Sequence, residues 1–282
     1  MIVQITMTRN ELFLIKEMIQ QWQKYADAFV FMVDRSDDGT EEWLLENKEK
    51  YNILSIISSE IDNENGSTQI ESNIRQRLYD EAFKHSGKII CLDTDEYLDG
   101  TLTKGQLEEI LENNKDTLIH LQWIQYTDTH QIRVDGPWGY NFKDRIASYS
   151  SRCVFKTMQM HCEHLPVPIK QGSIQVPVLF IAHLQWLDKK TVAVKQYFWK
   201  VTDYVVNKKF NIETITASAY DASVNNFEWK YAEFPISLKI SSEIYEKHDI
   251  IDSYKYKFIQ ESIKKYNIPN LNDWGMSIHN DE

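Results

Sequence analysis

Short, unbroken apolar runs alternate along the first hundred residues with longer stretches whose apolar positions recur every three or four residues. Ile2 to Met7, Phe29 to Val33, Ile53 to Ile57 and Ile89 to Leu92 have the length and composition of strands buried on both faces. Between them, Asn10 to about Tyr25, a segment starting at Glu41, and residues 67 to 86 predict helices. Asn10 is the expected N-cap of the first, with Glu11 in its first turn, where the helix dipole favours an acid. The second follows a turn, Asp34-Arg-Ser-Asp-Asp-Gly-Thr40. This alternation predicts an α/β sandwich around a mostly parallel sheet. After Leu98 the pattern changes. A short helix from Gln106 to Asn113 precedes β-rich stretches at Thr117 to Tyr126, Arg152 to Phe155 and Val178 to His183. Helices are then expected over Asp188 to Asn207 and Tyr254 to Tyr266, with the stripe Val192, Val194, Tyr197, Phe198, Val201 and Val205 packing on a core. The chain therefore divides into residues 1–100, a half that completes the sheet at 101–206, and a C-terminal helical extension at 207–282.

Composition narrows the picture. A 282-residue chain with 42% hydrophobic and 12% aromatic residues can bury a sizeable core, and only 9 Gly and 6 Pro leave little linker. A formal charge of -11 opposes binding of nucleic acid through a broad basic surface. A small anionic ligand would then need a metal or a few local Arg residues to offset repulsion. Cys91, Cys153 and Cys162 are odd in number and lack metal-ligand spacing, so a reducing, cytoplasmic setting is expected. The N-terminal residues have no basic segment leading into an apolar core, and no apolar run approaches the ~18 residues that span a bilayer. Peripheral contact with a membrane stays open, because a soluble enzyme can meet lipid-linked substrates at a surface.

Candidate chemistry concentrates where the fourth apolar run ends, in Leu92-Asp-Thr-Asp-Glu96. Open parallel sheets bind ligands at the carboxyl ends of their strands. Residues two apart on an extended segment point the same way, so Asp93 and Asp95 are expected to offer hard oxygen ligands to one Mg²⁺ or Mn²⁺ ion. A solvated acidic turn closing the strand would carry the same residues.

Four features line up in chain order: Thr8-Arg9-Asn10-Glu11, Val33-Asp-Arg-Ser-Asp-Asp-Gly-Thr40, Arg75 with Arg77 on a helix, and Leu92-Asp-Thr-Asp-Glu96. Together they resemble a glycosyltransferase of the GT-A fold, and within it the family 2 group. There a first strand leads to an Asn-Glu helix, a second to Asp-x-Ser-x-Asp-Gly-Thr and a later one to Asp-x-Asp. In the second half, Arg152-Cys-Val-Phe-Lys156, His161-Cys-Glu-His164 and Ile181-Ala-His-Leu184, with Lys195 on the following helix, look like the acceptor half of bacterial lipopolysaccharide-core glucosyltransferases. Cys162 between His161 and Glu163, and Leu184 where an aromatic is usual, depart from that pattern.

The resemblance implies a UDP- or GDP-sugar donor, a glycan or glycolipid acceptor, and a divalent cation. Residues 1–100 would be the nucleotide-sugar-binding half and 101–206 the acceptor side. Thr8, Arg9, Asn10, Glu11, Asp34, Arg75, Asp93 and Thr94 would bind the donor. A diphosphate leaving group calls for a cation, with Asp93 and Asp95 as ligands and His183, at the end of another apolar run, completing the set. Inverting transfer needs one base. Glu163 is the first candidate, since partial burial between His161 and His164 would raise its proton affinity. Asp135, in Val134-Asp-Gly-Pro-Trp138, is the second. A nucleotidyltransferase is the nearest enzymatic rival, although it would be expected to carry a Gly-rich loop after the first strand. A non-catalytic carbohydrate-binding protein of the same fold is the other.

Overall fold

The computed structural model describes residues 1–58, 71–139, 141–158, 161–168, 172–206, 229–246, 248 and 253–268. The chain forms two compact units. The first comprises Met1–Ile124 and Tyr140–His183, the second Gln125–Gly139 and Leu184–Glu282. This division differs from boundaries at 100 and 206, because the chain crosses between the units twice before residue 184.

The first unit carries β1 (Val3–Thr8), α1 (Leu12–Trp22), β2 (Ala28–Val33), α2 (Thr40–Glu46), β3 (Ile53–Ser58), α3 (Glu71–Phe83) and β4 (Lys88–Cys91). It continues with β5 (Glu96–Gly100), α4 (Lys104–Asn113), β6 (Thr117–Gln125, whose last residue falls in the second unit), β8 (Asn141–Ser148) and β9 (Ser173–His183). These strands form one sheet in the order β3-β2-β1-β4-β8-β6-β9-β5. The β3-β2-β1-β4 half is parallel, as the alternation predicts. Beyond β4 the chain adds antiparallel pairings of β8 with β4 and β6, and of β5 with β9.

Every residue of β2 is buried. Buried Gln4 and Thr6 of β1 satisfy one another, the Gln4 amide donating to the Thr6 hydroxyl at 3.2 Å. Helix α1 buries Leu14, Ile15, Met18, Ile19 and Trp22 along one stripe. Full burial of such a side chain stabilises by about 1.5–3 kcal/mol, which is why the stripe holds the helix to the sheet. Below the sheet, Leu78, Tyr79 and Ala82 of α3 join Val3, Ile5, Val30, Met32 and Ile89 in one apolar cluster.

Several expected elements differ. The N-cap of α1 is Glu11, because Asn10 adopts the left-handed conformation at φ 53° and its amide is engaged elsewhere. Helix α2 starts at Thr40 behind Gly39, whose φ of 83° suits a residue without Cβ. Residues 67–70 of the third predicted helix lie outside the described residues, as do 207–228 and 269–282 of the predicted extension. Arg152 to Phe155 forms no strand; its backbone is tied to side chains of α3, Cys153 N–H to the Tyr79 hydroxyl and Phe155 N–H to the Gln76 amide. Strands β5 and β8 were not anticipated.

In the second unit, β7 (Gln131–Arg133) pairs antiparallel with β10 (Tyr231–Glu233). Helix α5 (Lys189–Val206) packs on α6 (Tyr254–Tyr266) through Val192, Val194, Tyr197, Phe198, Val201 and Ile259. The aromatic stripe is therefore core.

Gly100 closes β5 with φ 144°, and a Cβ there would lie 2.2 Å from the Val178 carbonyl oxygen on β9. Gly100→Ala should destabilise the protein by at least roughly 2 kcal/mol through strain and that clash. An unchanged midpoint in denaturant unfolding would show that β9 moves aside at no cost.

Candidate functional site

The parallel register sets Thr8 beside Val33 and Ile5 beside Cys91, so the chain leaves β1, β2 and β4 at one edge of the sheet. Asn10 and Asp37 join the first two loops, Asp37 N–H donating to the Asn10 side-chain Oδ1 at 2.8 Å and the Asn10 side-chain amide donating back to the Asp37 carboxylate. Asn10 N–H also donates to the Ser36 hydroxyl at 3.0 Å, and Leu12 N–H to Asp38 at 3.0 Å. The turn chemistry thus serves to knit two loops, with Asn10 at their centre. Asp34 receives both Arg35 donors at 2.8 and 2.9 Å and faces Arg9 at 3.5 Å. The buried Thr94 hydroxyl donates to Glu11, which ties the third loop to the first. Thr8 is buried at the end of β1.

After β4 the chain turns at once, with Glu96 N–H donating to the Asp93 carbonyl at 3.1 Å. Strand alternation does not apply inside a turn, and the two acids diverge. Asp93 is 40% exposed and Asp95 only 4%. Asp93 lies 3.1 Å from His164 Nε2 and faces Arg145 at 3.5 Å. Asp95 faces His183 Nε2 at 3.4 Å. Among the described residues no three His, Cys, Asp or Glu side chains assemble as a metal cluster. The expected set of Asp93, Asp95 and His183 is therefore reduced to the Asp95–His183 pair.

Glu96, completely buried, holds this edge together. Arg145 grips it through two hydrogen bonds of 2.8 and 3.1 Å, and Trp123 Nε1 donates to it at 2.8 Å. Its carboxylate also accepts from Asp93 N–H at 3.1 Å, and its carbonyl accepts from Trp22 Nε1 at 2.8 Å. Arg75, buried on α3, donates to Glu71 at 2.8 Å and lies 3.4 Å from His164 Nε2. His164 Nε2 thus sits between a group that only accepts, Asp93, and one that only donates, Arg75, and which of them it bonds depends on the ring nitrogen that carries the proton. Burial, then the guanidiniums of Arg145 and Arg75, press His164 down to about 3, leaving it neutral at pH 7. Burial works against the charge of Asp93, yet the His164 contact and the two guanidiniums prevail and hold that carboxyl well below the usual range. Lys143, two residues from Arg145 on β8, is lowered by burial and by Arg145, while Glu96 and Glu163 pull the other way.

Both predicted bases lie in settings other than those expected. Glu163 is exposed, not partly buried between His161 and His164. Asp135 belongs to the second unit, where the buried Arg133 binds it at 2.9 and 2.7 Å and Lys230 N–H donates to it at 3.0 Å. Burial opposes its charge, but Arg133 and that backbone donor keep its pKa low, which makes it a weak base. Arg133 is in turn ringed by Trp138, Trp186 and Trp229 at 6.0, 4.5 and 5.1 Å.

No protein-family model matches the chain, and no curated protein matches it significantly. Solved structures similar to it include HddC from Yersinia pseudotuberculosis, at TM-score 0.37 and 11% identity, covering 65% of this chain and 94% of that one. The mannosyltransferase PcManGT from Pyrobaculum calidifontis, in complex with GDP-Man and Mn²⁺, matches at 0.42 and 10%, covering 97% and 82%. GalNAc-T7 with UDP, GalNAc and Mn²⁺ matches at 0.36 and 13%, covering 89% and 57%. Likenesses this distant carry no weight for the chemistry, which rests on the residues themselves. No described helix is long and apolar enough to cross a membrane.

Arg145, Trp123 and Glu96 were absent from the sequence-derived site. The Lys143-x-Arg145 spacing would have placed two cations on one face had β8 been recognised as a strand.

Removing Glu96 strips the buried Arg145 of two hydrogen bonds to a carboxylate and the Trp123 indole N–H of its acceptor, while the 3.5 Å contact of Arg145 with Asp93 remains. Glu96→Ala should lower stability by about 3–5 kcal/mol, read by denaturant unfolding. A loss under about 1 kcal/mol would show that water readily replaces the carboxylate.

Proposed function

We propose that the protein is a metal-dependent glycosyltransferase of the GT-A type, moving a sugar from a UDP- or GDP-sugar to a glycan or glycolipid acceptor with inversion. The observation that carries this reading is the Asp95–His183 pair, set where the loops after β1, β2 and β4 meet. Ligands on adjacent sites of an octahedral ion, each about 2.1 Å from it, are ~3 Å apart, and the observed 3.4 Å is close to that spacing. Carboxylate oxygen with imidazole nitrogen suits Mn²⁺, and donor phosphate oxygens would supply further ligands. Such an ion offsets the charge that develops on the diphosphate as the glycosidic bond breaks.

The chain's own groups divide the remaining work. Asp34, steadied by Arg35 and Arg9, accepts hydrogen bonds from the nucleoside. Arg9 and Arg75 contribute positive potential toward the diphosphate in an otherwise acidic protein. The half-exposed Asp93, fixed by His164 and Arg145, accepts from sugar hydroxyls. Glu163 takes the proton from the acceptor hydroxyl; its exposure leaves room for an acceptor, and Lys143 lies within electrostatic reach of it. A lipid-linked acceptor would bring the protein to a membrane surface, and a cytoplasmic setting agrees with three free cysteines.

Two measurements test the reading. Titration with UDP- and GDP-sugars in the presence of Mn²⁺ should show donor binding that Asp95→Ala weakens by at least about tenfold. Absence of binding across the panel would sink the proposal. Glu163→Gln should keep donor affinity and lose about 10²-fold or more in transfer rate. Near wild-type transfer would remove Glu163 from the role of base.

A further inference from the structure

We infer that Trp123 is a positioning residue that sets the plane of the His183 imidazole and so aims Nε2 at the cation held with Asp95. The inference rests on the proposed metal role of Asp95 and His183, and it adds a residue that no sequence motif identified. Trp123 lies on β6, the neighbour of β9 in the sheet, and its ring stacks on that of His183 with centroids 4.5 Å apart and planes 23° from parallel. Its indole cannot swing, because Nε1 donates to Glu96 at 2.8 Å and Glu96 is itself gripped twice by Arg145. The Lys143 ammonium lies 4.9 Å from the centre of the same indole ring.

An imidazole lone pair lies in the ring plane, so a cation can be bound well only if that plane passes through it. A stacked neighbour permits rotation within the plane and resists tilt out of it. The ring that Trp123 stacks on brings its Nε2 to 3.4 Å from Asp95 Oδ2. Outer-shell partners of ligating histidines usually act through a hydrogen bond to the second ring nitrogen. A stacked aromatic face adds orientation of its own, and the fully buried Glu96 and Arg145 transmit it from the core. An aliphatic side chain at 123 would fill the space without defining a plane.

The test uses the full chain and three metals alone, Mn²⁺, Co²⁺ and Mg²⁺, with Co²⁺ followed by its visible absorption. His183→Ala measures what the imidazole contributes. Trp123→Leu should lose about tenfold or more in Co²⁺ and Mn²⁺ affinity, with a smaller loss for Mg²⁺, so that the Co²⁺-to-Mg²⁺ ratio falls toward that of His183→Ala. Trp123→Phe, which keeps a ring plane, should recover most of the loss. In the double variant Trp123→Leu/His183→Ala, affinity should be no lower than in His183→Ala alone, because the indole acts only through the imidazole. Trp123→Met provides bulk without a plane and serves in place of Trp123→Leu should that variant not fold. If His183→Ala loses Co²⁺ while the folded non-aromatic variants keep the wild-type ratio, the positioning role is overturned and the metal site stands. If His183→Ala binds Co²⁺ as wild type does, the metal reading fails and takes this inference with it.

Discussion

A buried carboxylate gripped by a buried guanidinium organises the functional edge of the sheet. Glu96 and Arg145 are withdrawn from water, and desolvation of two such ions costs several kcal/mol each before their attraction is counted. The cost is offset here because almost every remaining polar valence is used: Trp123 and the Asp93 backbone complete the carboxylate. Arg145 also projects positive charge toward Asp93, which keeps that acid ionised and His164 neutral. One ion pair therefore fixes the turn after β4, the indole under His183 and the charge states of the groups around them.

The parallel half of the sheet was legible because its strands are short apolar runs, bounded by helices with clear periodicity. The other half was not. β8 reads Asn-Phe-Lys-Asp-Arg-Ile-Ala-Ser, and its polar half bears two cations toward the site and a His120-bound Asp144 on the other face, so no simple alternation betrays it. β5 begins at Glu96, which read as one more acid in a solvated turn. Its burial depends on Arg145 from a strand distant in sequence, and no local window holds that information.

The same limit shaped the site. Placing Asp34, Arg9 and Asp93 at strand ends needed only topology, which the alternation supplied. Treating Asp93 and Asp95 as co-directed ligands assumed an extended backbone, and the turn at Asp93 to Glu96 separates them. Glu163 and Asp135 were chosen from neighbouring residue types. Their settings were decided by tertiary contacts: exposure for one, and an Arg133 already surrounded by three indoles for the other. Asn10 illustrates another case, where a residue expected to cap a helix instead joins two loops.

The antiparallel pairing of β5 with β9 sets Glu96 directly opposite His183, and Gly100 at the far end of the same ladder opposite Leu179. Strand side chains alternate in direction, so a slip of one residue would turn His183 to the opposite face while leaving most backbone hydrogen bonds intact. A Cβ in the place of Gly100 would meet the Val178 carbonyl oxygen at 2.2 Å, so a slip that brought another β5 residue to that place would meet a clash, remote from the imidazole. Evolution can thus exchange side chains along β9 far more freely than it can add or delete a residue there. Competence to bind would also be one of the last properties acquired during folding, since it waits for two segments far apart in the chain to find their correct alignment.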